Sequence, residues 1–136
     1  FYKQDIHNIS LELKYDKIFL FFSEFGLFDA NKVLENVSKI LKINGLFLLD
    51  GDNVFRLIQY LIKHPRSPYK FDFVDMELRE KRKDDQGSRY YVVPELKTLF
   101  QDYGFKVMSI YGDYQKNSLD INSKRIILVG KKIKDS

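Results

Sequence analysis

The chain has 136 residues, 44% of them hydrophobic and 15% aromatic, and a formal charge of +4. This composition fits one globular domain and excludes a disordered chain, because disordered segments are poor in aromatic and β-branched residues. There is no cysteine and only two histidines, His7 and His64, which removes disulfides, thiolate metal sites and a histidine-rich zinc cage.

No apolar run approaches the roughly 20 residues of a membrane-spanning helix. No basic segment leads into an apolar stretch and a cleavage site at the start. We therefore expect a cytoplasmic protein with no membrane partner.

Taken in chain order, Phe1 and Tyr2 run straight into Asp5, as at the end of a strand whose beginning lies upstream. Residues 17–22 are an apolar run after Lys17, the pattern of a strand buried on both faces of a parallel sheet. A loop with Gly26 follows. Asp29 is placed to cap a helix over residues 30–42, with Val33, Val37, Ile40 and Leu41 on its apolar stripe. Asn44 and Gly45 stand where a left-handed cap ends it.

Residues 46–49 form a second buried strand, closed by Asp50, Gly51 and Asp52. Asn53 caps a second helix with Val54, Leu57, Ile58, Leu61 and Ile62 at helical spacing, stopped at His64 by Pro65. Strand, helix, strand, helix is the order of a parallel α/β sheet.

Residues 71–83 and 88–93 are then two strand-like runs around Asp84, Asp85, Gln86 and Gly87, which predicts a β-hairpin over 71–93. Pro94 opens a third helix to Tyr103, with Leu96, Leu99, Phe100 and Tyr103 on one face and Gly104 as its stop. Residues 106–111 and 124–131 are two last strands, joined by a loop too long for a tight hairpin.

Four segments in this order resemble one family. YDKIFLFFSEFGLF (residues 15–28) is similar to its fourth strand and the loop after it. ILKINGLFLLD (residues 40–50) is similar to its lysine-glycine turn and fifth strand. Pro94–Glu95–Leu96 with Tyr103–Gly104–Phe105 resembles its proline-opened helix, and RIILVGKK (residues 125–132) its closing strand. The family is the class I S-adenosylmethionine-dependent methyltransferases, in the small-molecule branch near the glycine/sarcosine-type and type 11/25 domains.

The resemblance implies an α/β fold: the C-terminal half of a Rossmann-like sheet, with parallel strands, an antiparallel last strand and an inserted hairpin covering the substrate side. The chain would be a single partial domain. The family's glycine-rich loop and the acidic end of its second strand have no counterpart here, and no Gly-x-Gly occurs. Asn44 stands for a second glycine of the turn. Val92 and Val93 replace the usual Ser or Thr cap.

The same resemblance supplies candidate site residues. Asp5 stands where a carboxylate accepts a hydrogen bond from the adenine amino group, and the amide of Ile6 would meet the ring. Phe21, Phe22 and Ser23 leave a strand at the edge where ligands of open α/β sheets bind, and an aromatic there suits a sulfonium cation. These five are the expected S-adenosylmethionine contacts.

On the substrate side stand Asn53, Arg89, Tyr91 and Tyr111. Asn53 serves equally as a helix cap, and the other three equally as sheet-surface residues. Asp50 and Asp52 resemble a carboxylate pair, but with no histidine or metal-ligand set beside them they are not assigned as acid and base. No catalytic residue is assigned, because methyl transfer from a sulfonium relies mainly on alignment.

The expected enzyme is a methyltransferase with a small-molecule acceptor, inactive as this segment alone. One alternative is a non-catalytic binding module that needs a partner chain. Another is an RNA-modifying enzyme using Arg79, Lys81, Arg82 and Lys83, although a solvated hairpin face is the favoured reading of that cluster. A sheet that lacks its first strand exposes an edge through which copies could associate.

Overall fold

The computed structural model describes residues 14–21, 29–82 and 87–135. A four-stranded sheet organises them, built from β1 (Tyr15–Leu20), β2 (Leu41–Asp52), β6 (Phe105–Tyr111) and β7 (Arg125–Lys132) in the order β1-β2-β7-β6. β1 and β2 are parallel, with Ile18 beside Phe47 and Leu20 beside Leu49. β7 lies between β2 and β6 and is antiparallel to both. Three strands thus run one way and the last strand runs against them. This is the mixed α/β sheet expected from the sequence.

Helix α1 (Ala30–Ile40) connects β1 to β2. Its cap is Asp29, whose carboxylate accepts from the Lys32 amide at 3.2 Å. The helix ends at Ile40, not at 42, because Leu41 already has extended backbone and starts β2. Asn44 still takes the left-handed conformation, φ 69°, but does so at an irregularity in the β1–β2 register.

Helix α3 (Val93–Asp102) has no side-chain acceptor at its Val92 cap. Glu95 compensates from within the helix, accepting from the Val92 amide at 3.3 Å. Gly104, φ +85°, turns the chain into β6, and a Cβ there would meet the Lys134 carbonyl oxygen at 2.3 Å.

The core lies on one face of the sheet. Val33, Leu34 and Val37 of α1 and Leu96 and Phe100 of α3 pack on Phe47, Leu49, Phe105, Ile126 and Leu128. Phe47, Phe100 and Phe105 form a ring trio with centroids 5.6–5.9 Å apart. Aromatic rings bury large areas, so this trio contributes much of the apolar surface of the core. Lys132 is buried beside it, its ammonium donating to the carbonyls of Ser38 and Leu41 at the end of α1.

Two expectations from the sequence are corrected. β1 is not buried on both faces. Ile18 and Leu20 pack on the core, but Lys17 and Phe19 are exposed. Alternate residues of a strand point to opposite faces, and among the described residues the Phe19 face of β1 stays open. The stripe of α2 (Val54–Lys63) likewise buries fully only Val54, and Ile62 is exposed.

The second correction concerns residues 71–93, which are not a single hairpin. The run 71–83 is broken, and β3 (Tyr69–Asp72), β4 (Glu77–Glu80) and β5 (Ser88–Arg89) form a three-stranded antiparallel sheet. Asp72 makes the break, accepting from the amides of Val74 and Asp75 at 2.8 and 3.0 Å, with Met76 at φ 54°. An aspartate that bonds its own downstream backbone stabilises a turn against an extended strand. No helix among the described residues is long and apolar enough to cross a membrane.

Candidate functional site

The topology brings four chain segments to one edge of the main sheet. β1, β2 and β6 end there, at Leu20, Asp52 and Tyr111, and β7 begins there with Arg125 paired to Asp52. Helices α1 and α2 start at the same edge, at the caps Asp29 and Asn53. The ends of parallel strands are where open α/β sheets bind ligands, because the connecting loops splay apart there.

The centre of this edge is the carboxylate of Asp50, which is fully buried. Arg125 Nε donates to Asp50 Oδ1 at 2.7 Å, and its Nη1 donates to Asp52 Oδ1. The guanidinium fork therefore spans both carboxylates, a charge-assisted arrangement that a lysine could not reproduce. The other Asp50 oxygen accepts from the Tyr114 hydroxyl. Burial, and then the bond to Asp50, push the Tyr114 phenol up to about 12. The pair Asp50 and Asp52 is thus tied to a cation and a phenol, which leaves it poorly suited to acid/base work.

Asn53 pins the loop over residues 112–124 to this edge. Its Nδ2 donates to the carbonyls of Ser123 and Asp120 at 2.8 and 3.3 Å, while Oδ1 accepts from the Phe55 amide. The loop is closed by its own bonds, Gly112 N to Asn117 O at 2.9 Å and Arg125 N to Gly112 O at 3.3 Å. A Cβ on Gly112 would meet Ser123 Oγ at 2.3 Å, so the closure needs glycine at this point.

The candidate residues are distributed as follows. Phe21 lies at the edge, half-exposed, its ring stacked on Phe19 at 5.3 Å and tilted against Tyr114 at 6.1 Å. Asn53 is buried and caps α2 while holding the loop. Tyr111 is half-buried at the end of β6, beside Ile127. Arg89 turns inward, its guanidinium 4.5 Å over the Tyr91 ring and bonded to Glu95 and to the Tyr90 carbonyl. Tyr91 packs against the core, and burial raises its phenol. Asp5, Ile6, Phe22 and Ser23 lie outside the described residues.

Three further residues are not among the sequence candidates. Tyr114 sits in a polar loop, Arg125 opens the last strand, and Tyr90 lies between Arg89 and Tyr91. Tyr90 has its phenol raised by burial and then by the charge of Asp52, and its ring lies edge-on to Phe71 at 6.0 Å. Nothing in the run Ser88–Arg89–Tyr90–Tyr91 separates Tyr90 from its neighbour Tyr91. No local pattern marks Tyr114, because its partner is 64 positions away.

His64 stacks on Tyr60 at 4.1 Å, with Nδ1 2.9 Å from the Tyr60 carbonyl at the end of α2. Two residues of the basic cluster have partners within the protein. Arg79 is paired with Asp72, Asp75 and Glu77, and Lys81 donates to the Pro65 carbonyl. Lys83 lies outside the described residues.

No family model and no curated protein matches this sequence. Solved structures do. An S-adenosylmethionine-dependent methyltransferase from Clostridium acetobutylicum is 18% identical with a TM-score of 0.72, covering 94% of this chain and 62% of that one. The CcbJ methyltransferase from Streptomyces caelestis is 15% identical, also at 0.72, covering 95% and 66%. The 1,6-didemethyltoxoflavin-N1-methyltransferase of Burkholderia thailandensis, solved with 1,6-didemethyltoxoflavin and S-adenosylhomocysteine bound, is 11% identical at 0.58, covering 95% and 48%. The chain therefore spans about three-fifths of the length of the first two, and it shares their fold.

Proposed function

We propose that this chain is the C-terminal part of a class I S-adenosylmethionine-dependent methyltransferase domain, and that the complete protein methylates a small molecule. The observation that carries this is the fold: nearly the whole chain overlays methyltransferase structures, although it covers only part of their length. The type 11/25 branch suggested by the four sequence segments belongs to the same proposal, as does a cytoplasmic location. Among the described residues β1 pairs with β2 alone, and in this reading its other edge takes further strands of the same domain, so pairing between copies is not required.

Among the described residues, Phe21 suits the donor. It is an exposed ring at a strand end, and an aromatic face attracts a sulfonium. Asp5, Ile6, Phe22 and Ser23 complete the donor side in this reading, and the glycine-rich contacts come from outside this chain. The bound donor supplies an activated methyl with a neutral leaving group. What the protein must add is alignment and exclusion of water.

The acceptor side is the edge around Tyr111 and Tyr114, with the sheet of β3, β4 and β5 covering it. Asn53 acts there by holding the loop, and Arg89 by fixing Tyr91. The test is ultraviolet cross-linking of methyl-labelled S-adenosylmethionine to the complete protein, followed by peptide mapping. Label within residues 18–32 is expected. Label confined to α3 or to residues 69–89 would refute the placement.

A further inference from the structure

We propose that the turn between β3 and β4, with the end of α2 beside it, docks on the surface of an anionic lipid bilayer and lies on it without crossing. This does not depend on the methyl-transfer reading.

The turn holds two apolar side chains out in water: Phe73 is 67% exposed and Val74 92%. It is not a loose loop. The Asp72 carboxylate accepts from the Val74 and Asp75 amides, and Arg79 of β4 ties Asp72 and Asp75 at 3.1 and 2.8 Å. Ile62, 74% exposed in the last turn of α2, shares with Phe73 a groove of about 260 Å³ that Leu61, Tyr69 and Phe71 also line. Lys81 joins the two parts, its ammonium donating to the Pro65 carbonyl just past α2 at 3.0 Å. An exposed apolar patch with a polar rim marks a surface that meets a partner or a membrane. None of these residues belongs to the four-stranded sheet, whose β1 edge takes the further strands of the domain in the reading above.

Charge selects the partner. No carboxylate occurs between Asp52 and Asp72, whereas Arg56, Lys63, Arg66 and Lys70 do. Lys70 and Lys81 line the groove itself, and Lys63 and Arg66 flank the groove residues His64 and Pro65 in the chain. Of the four carboxylates among residues 53–82, those of Asp72, Asp75 and Glu77 all face Arg79, which leaves Glu80 as the remaining acid. A braced apolar tip in a positive field fits a surface that is negative at its headgroups and apolar beneath them.

Single-stranded RNA fits less well, because it is held by ring faces that stack on bases. Val74 and Ile62 have no ring to offer. The Tyr60 ring is stacked on His64 at 4.1 Å, and Phe73 meets Phe71 edge to face at 5.1 Å. The cytoplasmic leaflet is the anionic one, which agrees with the proposed location. The expectation of no membrane partner follows from the lack of a spanning run, and a surface contact needs none.

The test is co-sedimentation of the complete protein with two kinds of vesicle, phosphatidylcholine alone and phosphatidylcholine mixed with phosphatidylserine, each at low and high salt. A uridine oligonucleotide is the third probe. We expect saturable binding to the mixed vesicles that salt weakens, and binding to the neutral ones that is roughly tenfold or more weaker. A cation near an anionic surface is worth about fivefold in partitioning, so Lys63→Gln combined with Lys70→Gln should weaken binding by about twenty-fivefold. Ile62→Ser combined with Val74→Ser should weaken it by roughly tenfold or more. All four side chains are exposed, and an unchanged thermal unfolding curve checks that each variant is folded.

Equal binding to neutral and mixed vesicles, or binding to neither, would overturn the proposal. So would undiminished binding by the variant with Ile62→Ser and Val74→Ser, since the braced turn would then not touch the lipid. Tighter binding to the oligonucleotide than to the mixed vesicles would overturn it in favour of a nucleic-acid surface.

Discussion

Arg125 is the residue on which the edge depends most. It links the fully buried Asp50 to Asp52, so Arg125→Met removes the guanidinium from a carboxylate that cannot reach water. Breaking such a pair from one side costs about 3 kcal/mol. Tyr114→Phe removes only one hydrogen bond to the same carboxylate, at a cost of about 1–2 kcal/mol. Denaturant unfolding of the two variants should rank them in that order, and equal losses would show that Arg125 acts only at the surface.

Tyr114 also offers a pH signature. Its phenol is raised above the ordinary value to about 12, so its neutral form is favoured by folding. The stability from this group is full below about pH 10 and is lost as pH rises from there through about 12. Ultraviolet titration near 295 nm should show a late-titrating amplitude, to which the half-buried Tyr90 and Tyr91 also contribute, that falls by one tyrosine in Tyr114→Phe. If the variant's titration curve matches the wild type, the bond to Asp50 is not formed.

At the scale of elements, glycines in two neighbouring strands make opposite predictions. A Cβ on Gly130 of β7 would stand 2.7 Å from the ring of Phe100, inside the trio with Phe47 and Phe105. The ring is fully buried and has nowhere to move. Gly130→Ala should therefore cost about 1–3 kcal/mol by overpacking. Gly51→Ala in β2 meets nothing within 4 Å and should be neutral within about 0.5 kcal/mol. Thermal unfolding of the pair checks this, and a destabilised Gly51→Ala would contradict the described edge of β2.

Asn53→Ala removes both a cap and the loop tether. It should cost at least the ~1 kcal/mol of a cap alone. Its loop amides near residues 120–123 should also exchange faster with solvent, which loss of the cap alone would not cause.

The same scale shows what the sequence made legible. The parallel pair β1–β2 could be read because both strands are apolar runs bounded by turn signals, and Asp29 and Asn53 could be read because caps are local chemistry. The break at residues 73–76 was also local, since Asp72 bonds its own downstream amides, but the strand-like residues around it masked the turn. Burial of β1 could not be read. It depends on which elements cover each face, and Phe19 has the same character whether covered or not. The Asp50–Tyr114–Arg125 cluster was hidden for a different reason: its members are brought together only by the strand order, across 64 and 75 positions.

For the whole molecule, we propose that these residues are part of an S-adenosylmethionine-binding domain whose glycine-rich contacts lie outside the chain. The fold shared with methyltransferases supports the first half, and the partial span of their length supports the second. The most direct measurement is isothermal titration of S-adenosylhomocysteine into the complete protein and into the 136-residue chain alone. The loss of two hydrogen-bonded contacts, each worth about 1.5–3 kcal/mol, weakens binding by roughly a hundredfold or more. Saturable one-to-one binding to the complete protein is expected, with binding at least that much weaker to the isolated chain. Absence of binding to the complete protein would contradict the function, and equal affinity of the two would contradict the placement of the donor.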